Sequence, residues 1–404
     1  MIPGLHDDLV RLRRRLHADP ELGLALPRTQ ALLLEELAPL GLEITTGRGL
    51  GSITAVLRGG RPGPVVLLRA DMDALPVVEA TGLPFAATNG AMHACGHDLH
   101  MAGLIGAARL LAAGRDELAG TVVLMLQPGE EGFAGGRLMI EEGVLDAAGE
   151  RPVAAFAMHV DCSTDSGLFV TRSGPMMASA SGMRITVTGT GGHAAFPHLA
   201  VDPIPAAAAL VQALQTFVAR RVPATDPAVV SVVSIVSDST APNVLAARVE
   251  LMLNIRTLSR DTFALVRSSL AELAAGVAAA HGCGVETEFI DSYPVTHNDP
   301  EETERVIAAL TARHGADRVL RLPAPSMASE DFAYVLDEIP GTLLFLGTRP
   351  PGVPAEGAPS MHSESAVFDD ALLGLLAETL AQLALDRLAV GRASDAPTPA
   401  GALA

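Results

Sequence analysis

The chain has 404 residues, 49% of them hydrophobic but only 3% aromatic and none of them Trp, so two domains with cores of Ala, Leu and Val are expected. A formal net charge of −18 argues against nucleic acid and anionic membrane surfaces as partners. All 28 basic residues are Arg, and the lack of any Lys excludes Schiff-base chemistry, pyridoxal enzymes and a phosphate-loop lysine.

Three cysteines, Cys95, Cys162 and Cys283, are too few and too scattered for a disulfide framework. No apolar run reaches membrane-spanning length, and the opening MIPGLHDDLVRLRRR lacks the apolar core of a secretion signal. A cytoplasmic protein is expected.

In chain order, residues 5–18 predict an amphipathic helix with Leu5, Leu9, Leu12 and Leu16 on one stripe, broken by Pro20 and Gly23. A second helix, 29–40, stops at Gly41, and short strands follow at 42–46 and 51–58. His17 reads as a local packing residue. Val65–Ala70 then predicts a buried strand ending in Asp71-Met72-Asp73. Thr121–Gln127 predicts another, ending in Pro128-Gly129-Glu130-Glu131, and Val153–Met158 a third, ending in His159. Between the first two, Asp98–Ala113 reads as a helix. This rhythm means a mostly parallel mixed sheet with flanking helices, whose ligands bind beyond the carboxyl ends of the strands.

After Gly174 the pattern changes to strand 183–190, helix 202–221, strands 229–237 and 247–256, helix 261–281 and strand 285–290. That order, βαββαβ, predicts an inserted two-layer satellite with an antiparallel sheet, of the ferredoxin-like kind. The expected division is 1–178 plus 292–404 for the main domain and 179–291 for the insert. The α/β rhythm resumes with a helix to His314, another around 330–337, a strand at 342–346 and a closing helix at 368–388. The last dozen residues, rich in Ala, Pro and Gly, are expected to fray.

The chemistry concentrates in His93–His100, read HACGHDLH. Cys95 and His97 stand two apart, so in an extended turn both can face one centre. Adjacent carboxylates, Glu130 and Glu131, are costly to hold ionised in a cleft without a cation. A metal would take one and leave the other free to accept a proton from water. Cys95, His97, Glu131, His159 and His362 form a ligand set suited to Zn²⁺, with Mn²⁺, Co²⁺ or Ni²⁺ as alternatives. Five ligands exceed what one open catalytic ion needs, so two ions sharing a ligand are expected.

RRLHADPELG, LRADMDALPV, MHACGHDLHMA, QPGEEGFAGG, MHVD, GTGGHAAFPHLAVDPI, APNVL with Arg256-Thr257, ASEDFAYV and MHSESAVFDDALL are spread along nearly the whole chain. As a set they resemble the dinuclear-metal aminoacylase and glutamate-carboxypeptidase family, in its cysteine-containing amidohydrolase branch. That branch includes hippurate hydrolases, indole-acetyl-amino-acid hydrolases and N-acetyl-diaminopimelate deacetylases. The resemblance implies a phosphorylase/hydrolase-like catalytic domain and Cys95 as a bridging ligand where other relatives use aspartate. It implies His97 and His159 at one metal, Glu131 and His362 at the other, and Glu130 as general base. Asp71 and Asp73 fall where relatives carry a ligating His and its supporting Asp, so both are expected to act behind the ligands. His193 matches a histidine that reaches a neighbouring subunit's site to stabilise the oxyanion, which implies a homodimer or higher homo-oligomer. Asn243 and Arg256 match groups that hold the substrate carboxylate; on the residues alone, Asn243 reads equally as a turn and Arg256 as a surface strand residue.

The implied reaction is hydrolysis of the amide bond of an N-acyl amino acid. A dipeptidase or carboxypeptidase differs only in the acyl side. A cysteine-nucleophile hydrolase using Cys95 with His97 is the alternative of another class, and it leaves the glutamate pair at the neighbouring strand end without a role. A non-catalytic metal-binding scaffold is the third reading, and no motif is missing that would favour it.

Overall fold

A computed structural model of the protein describes residues 2–394. The fraying expected of the last dozen residues falls, from 395 onward, outside the described residues. By internal contacts the chain divides into two units. The larger takes in Met1–Gly174, His297–Pro323 and Tyr334–Ala404; the smaller takes in Pro175–Thr296 and Ala324–Ala333.

The larger unit is a mixed α/β domain around an eight-stranded sheet. Across it the strands run Glu43–Thr46, Ile53–Arg58, Ala119–Gln127, Arg61–Asp71, Ala154–Asp161, Gly341–Gly347, Phe169–Thr171 and Val319–Arg321. Arg61–Asp71 lies parallel to both Ala119–Gln127 and Ala154–Asp161, which in turn is parallel to Gly341–Gly347. These central strands are apolar without alternation because both of their faces are covered. Asp71, Gln127 and His159 consequently arrive at the same edge of the sheet.

Helices His97–Ala113 and Leu373–Ser394 pack on one another and on the sheet. A Cβ on Gly103 would lie 2.4 Å from Leu376 Cδ2, so the small residues of the first helix set how closely the second approaches. The helix Leu5–Ala18 buries the expected stripe of Leu5, Leu9, Leu12 and Leu16. The helix Pro300–His314 starts at Asp299, whose side chain accepts the Glu302 N–H at 2.9 Å. The helix Gly135–Glu141 and the three-residue strands Phe169–Thr171 and Val319–Arg321 did not show in the apolar pattern, being too short to display a period.

The smaller unit is a four-stranded antiparallel sheet in the order Ala228–Ser237, Arg248–Thr257, Ala180–Thr188, Gly284–Tyr293. Helices Pro203–Arg221 and Arg260–Ala280 cover one face, burying Ile185, Leu251, Leu253 and Ile255 against Leu210, Leu214, Val266 and Leu270. The expectation that no apolar run reaches membrane-spanning length needs correcting here. Arg260–Ala280 is long and apolar enough to cross a membrane by length and composition alone. Its apolarity comes largely from alanine, and Val266, Leu270, Ala274 and Ala278 give it a buried stripe against the sheet.

Candidate metal centre

The carboxyl edge of the parallel strands gathers the donor groups of the larger unit. The turn before helix His97–Ala113 is forced by Gly96, which has φ 87° and whose Cβ would lie 2.4 Å from Val160 Cγ2. This turn sets Cys95 and His97 beside the strand ends. Cys95 Sγ lies 3.5 Å from His159 Nε2 and 3.2 Å from His362 Nε2. His362 Nε2 is also 3.3 Å from Glu131 Oε1. Donor atoms of Cys95, His97 and Glu131 lie within 4.8 Å of one another, as do those of Asp71, His97, His100 and His159. His362 has left-handed backbone, φ 67°, and its N–H is bonded to Ala94 O at 2.9 Å. Such a conformation is uncommon outside glycine and tends to mark functional positions.

Hydrogen bonds aim the imidazoles. His97 Nδ1 donates to Asp73 O at 2.8 Å, which turns its Nε2 toward the cluster. That Nε2 is buried, has no hydrogen-bond partner among the described residues and stands 3.5 Å from Asp71 Oδ2. His159 Nδ1 donates to Val160 O at 2.6 Å, turning its Nε2 to the Cys95 sulfur. Burial, reinforced by His100, holds the His159 pKa well below its ordinary value, so this ring is neutral. Burial also lowers the His97 pKa, but the charges of Asp71, Asp73 and Glu131 outweigh it and the net shift is upward. Burial would raise the pKa of Glu131, yet the nearby His362 and the charge of His97 bring it below its usual range. A buried imidazole nitrogen without a hydrogen-bond partner among the described residues, set beside a thiol, carboxylates and a neutral imidazole, fits a divalent cation.

Glu130 and Glu131 leave the strand Ala119–Gln127 through a turn that Asp73 holds. Its Oδ1 accepts the Glu130 N–H at 2.9 Å and its Oδ2 the Glu131 N–H at 3.0 Å. Burial raises the Asp73 pKa to about 6 despite these two bonds. Glu130 itself is buried.

Asp71 organises the other side of the cluster. Its Oδ1 accepts from His100 Nδ1 at 2.5 Å, and its Oδ2 accepts from Arg69 Nη1 at 2.6 Å. His100 Nε2 accepts the Val160 N–H at 2.8 Å, which fixes that tautomer. Burial opposes ionisation of Asp71, but Arg69, His97 and His100 together hold its carboxyl well below the carboxylate range.

The remaining expected residues belong to the smaller unit. His193 is exposed and pairs with Val244 across a short antiparallel ladder; the Ala194 N–H donates to Asn243 O at 3.1 Å. The ladder thus brings His193 and Asn243 together. His193 Nδ1 accepts the Ala195 N–H at 3.1 Å, leaving Nε2–H as the free donor of that ring. Arg256 stands on the strand Arg248–Thr257, half-buried, with Asn254 and Ser329 as partners.

Some supporting residues escaped sequence reasoning. Arg69, inside a buried apolar strand, was the visible sign: a buried cation implies a partner, here Asp71 and Gln127. Arg13, Asp98 and His17 form a second buried group behind the turn. Arg13 Nε donates to Asp98 Oδ2 at 2.7 Å, and His17 bridges Asp98 at 2.8 Å and Glu79 at 3.1 Å. The local packing expected of His17 needs correcting: its ring bridges carboxylates 81 and 62 residues away and is the middle of a charged relay. Cys162 is buried, its thiol donating to Pro359 O at 3.2 Å, and burial beside Asp161 pushes its pKa up to about 12, as suits an inert thiol.

Comparison with known proteins fits this arrangement. The sequence profile of peptidase family M20/M25/M40 matches residues 67–386. The chain is 36% identical over 384 residues to thermostable carboxypeptidase 1 of Saccharolobus solfataricus, covering 93% of this chain and 95% of that protein. It is 35% identical over 384 residues to N-acetylcysteine deacetylase of Bacillus subtilis, covering 95% and 97%. Among solved structures, the dinuclear metal-binding YXEP protein of Bacillus subtilis superposes with a TM-score of 0.82 at 32% identity, covering 96% of this chain and 99% of that one.

Proposed function

The chain belongs to peptidase family M20/M25/M40 and is a metal-dependent hydrolase, and on that premise we propose that it cleaves the amide bond of N-acyl amino acids, as a member of the cysteine-containing amidohydrolase branch. The observation that carries the reaction is the Asp73 clamp: one buried carboxylate accepts the amides of both glutamates. It supports a division of labour in which Glu131, turned to His362, binds metal and Glu130 handles protons.

Cys95, His97, Glu131, His159 and His362 would hold two divalent ions, Zn²⁺ or Mn²⁺ with Co²⁺ or Ni²⁺ as substitutes, which supply Lewis acidity at the scissile carbonyl and acidify the attacking water. Glu130 takes the proton from that water and delivers it to the leaving amine nitrogen, a shuttle worth roughly 10²–10⁴-fold. His193, with its Nε2–H free, donates to the tetrahedral oxyanion. Arg256 and Asn243 hold the substrate α-carboxylate. Asp71 and Asp73 act behind the ligands, Asp71 by aiming His100 and Asp73 by fixing the glutamate turn.

The strand order of the smaller unit, with two helices on one face, supports its reading as a ferredoxin-like satellite inserted at 179–291, serving as lid and dimerisation domain. Its edge strand Ala228–Ser237 exposes Val233, Ile235 and Val236, an apolar edge suited to pairing with a second copy in a homodimer. A cytoplasmic location accords with a chain of only three cysteines, with no disulfide among the described residues.

One relative keeps a second reading in view: the carboxypeptidase of Saccharolobus solfataricus favours peptide cleavage by the same machinery. Assaying purified enzyme against N-acyl amino acids, dipeptides and longer peptides separates the two. Release of free amino acid from N-acyl amino acids, with peptides turned over at least tenfold less efficiently, is expected. Preference for peptides would transfer the assignment to a peptidase.

A further inference from the structure

Among the described residues, the hydrogen-bond partners of Arg256 are neutral oxygens. Its Nε donates to Asn254 Oδ1 at 3.2 Å and its Nη1 to Ser329 Oγ at 2.9 Å. Burial lowers its pKa. In a chain of net charge −18, this half-buried guanidinium is held by an amide and a hydroxyl instead of an acid.

Both partners of the Arg256–Ser329 bond are anchored to one piece of backbone. The Ala178 N–H donates to Ser326 O and Ala328 O, each at 2.9 Å, and the Ser326 N–H returns to Met176 O at 3.0 Å. One residue on, the Ser179 N–H donates to Thr257 O at 2.9 Å, and the Thr257 N–H donates to Ser179 Oγ at 3.0 Å. Residues 176–179 thus tie the loop before Ser329 to the end of the strand that carries Arg256. The bond between the two side chains is made by a fixed geometry, so rotamer freedom is spent before a ligand arrives.

With Nε and one Nη1 hydrogen engaged by Asn254 and Ser329, the Nη2 hydrogens and the second Nη1 hydrogen are the donors left for a carboxylate. A serine oxygen that accepts from arginine still has its own proton to give. Resting on the N-acyl amino acid reading above, we propose that Ser329 is a specificity-determining residue: it fixes the plane of Arg256 and donates its hydroxyl proton to the substrate α-carboxylate that Arg256 holds. The matching carboxamide is uncharged and offers an NH₂ where the acid offers a second acceptor oxygen. The pair therefore selects free acids over amides at that end of the substrate.

The test compares kcat/KM for the N-acyl amino acid that wild-type enzyme turns over best with that for its carboxamide. The variants are Ser329→Ala, Ser329→Thr and Arg256→Met. Loss of one hydrogen bond to a charged group should lower the acid-over-amide ratio about tenfold in Ser329→Ala, expressed chiefly in KM. Ser329→Thr, which keeps the hydroxyl, should restore the preference. A serine with a purely structural role would lower both substrates alike and leave the ratio where it was. A collapsed ratio in Arg256→Met beside an unchanged one in Ser329→Ala overturns the role of Ser329 and leaves the carboxylate reading standing. An unchanged ratio in Arg256→Met, or a wild type without preference for the acid, overturns both.

Discussion

His362 Nε2 lies 3.2 Å from Cys95 Sγ although 267 residues separate them in the chain. The contact depends on the left-handed backbone of His362 and on its N–H bond to Ala94 O, one residue before the cysteine. A thiol flanked by His362 and His159 has the surroundings of a shared metal ligand; a nucleophile needs one base. Cys95→Asp should therefore keep bound metal and measurable turnover, because a carboxylate can also bridge. Cys95→Ala should weaken metal binding by more than the roughly 10–100-fold that loss of a supporting residue costs. Complete inactivity of Cys95→Asp with full metal content would point to the cysteine as nucleophile.

The two glutamates held by Asp73 should separate cleanly. Glu130→Gln is expected to retain metal and lose about 10²–10⁴-fold in kcat, because only the proton shuttle is removed. Glu131→Gln should instead lower metal content, read by elemental analysis of the dialysed protein. Near-normal turnover in both variants would show the wrong strand end has been assigned.

The elements that bring these residues together were legible to different degrees in the sequence. The central strands were readable because parallel strands covered on both faces are unbroken apolar runs, as in Val65–Ala70 and Thr121–Gln127. HACGHD was readable because metal donors were crowded into one turn. The partners behind it were not. Arg13 and His17 lie 85 and 81 residues from Asp98, in a helix whose leucine stripe already accounts for its pattern. Ser329 carries no sign of Arg256, because their meeting depends on backbone bonds through residues 176–179.

His17 gives a pH prediction. Burial lowers its pKa, but the charge and hydrogen bond of Asp98 outweigh that, with Glu79 adding to them, and the net shift is upward. A raised folded pKa means its stabilisation is full below the unfolded value near 6.5 and is lost as pH rises through the folded value. The stability difference between wild type and His17→Gln, from urea unfolding, should shrink as pH rises from about 6 to 9. A difference that grows over that range would contradict the assignment of charge to this ring.

His193 should behave as a group outside the metal cluster. His193→Ala is expected to lower kcat by about 10²–10³-fold with metal content unchanged, as for loss of an oxyanion donor. If His193 serves the site of a second copy, mixing His193→Ala with Glu130→Gln subunits should recover part of the activity, since one site of the mixed dimer has both groups intact. No recovery in mixtures confirmed to exchange subunits would confine His193 to its own chain or to a turn.

The central claim is that Cys95, His97, Glu131, His159 and His362 hold the ions on which hydrolysis depends. Its most direct measurement is metal content against turnover of the best N-acyl amino acid during chelation and titration back. Dialysis against chelator should abolish hydrolysis, and Zn²⁺ or Mn²⁺ should restore it with a break near two equivalents per chain. Full activity in the chelated protein, with well under one equivalent of metal bound, would contradict it.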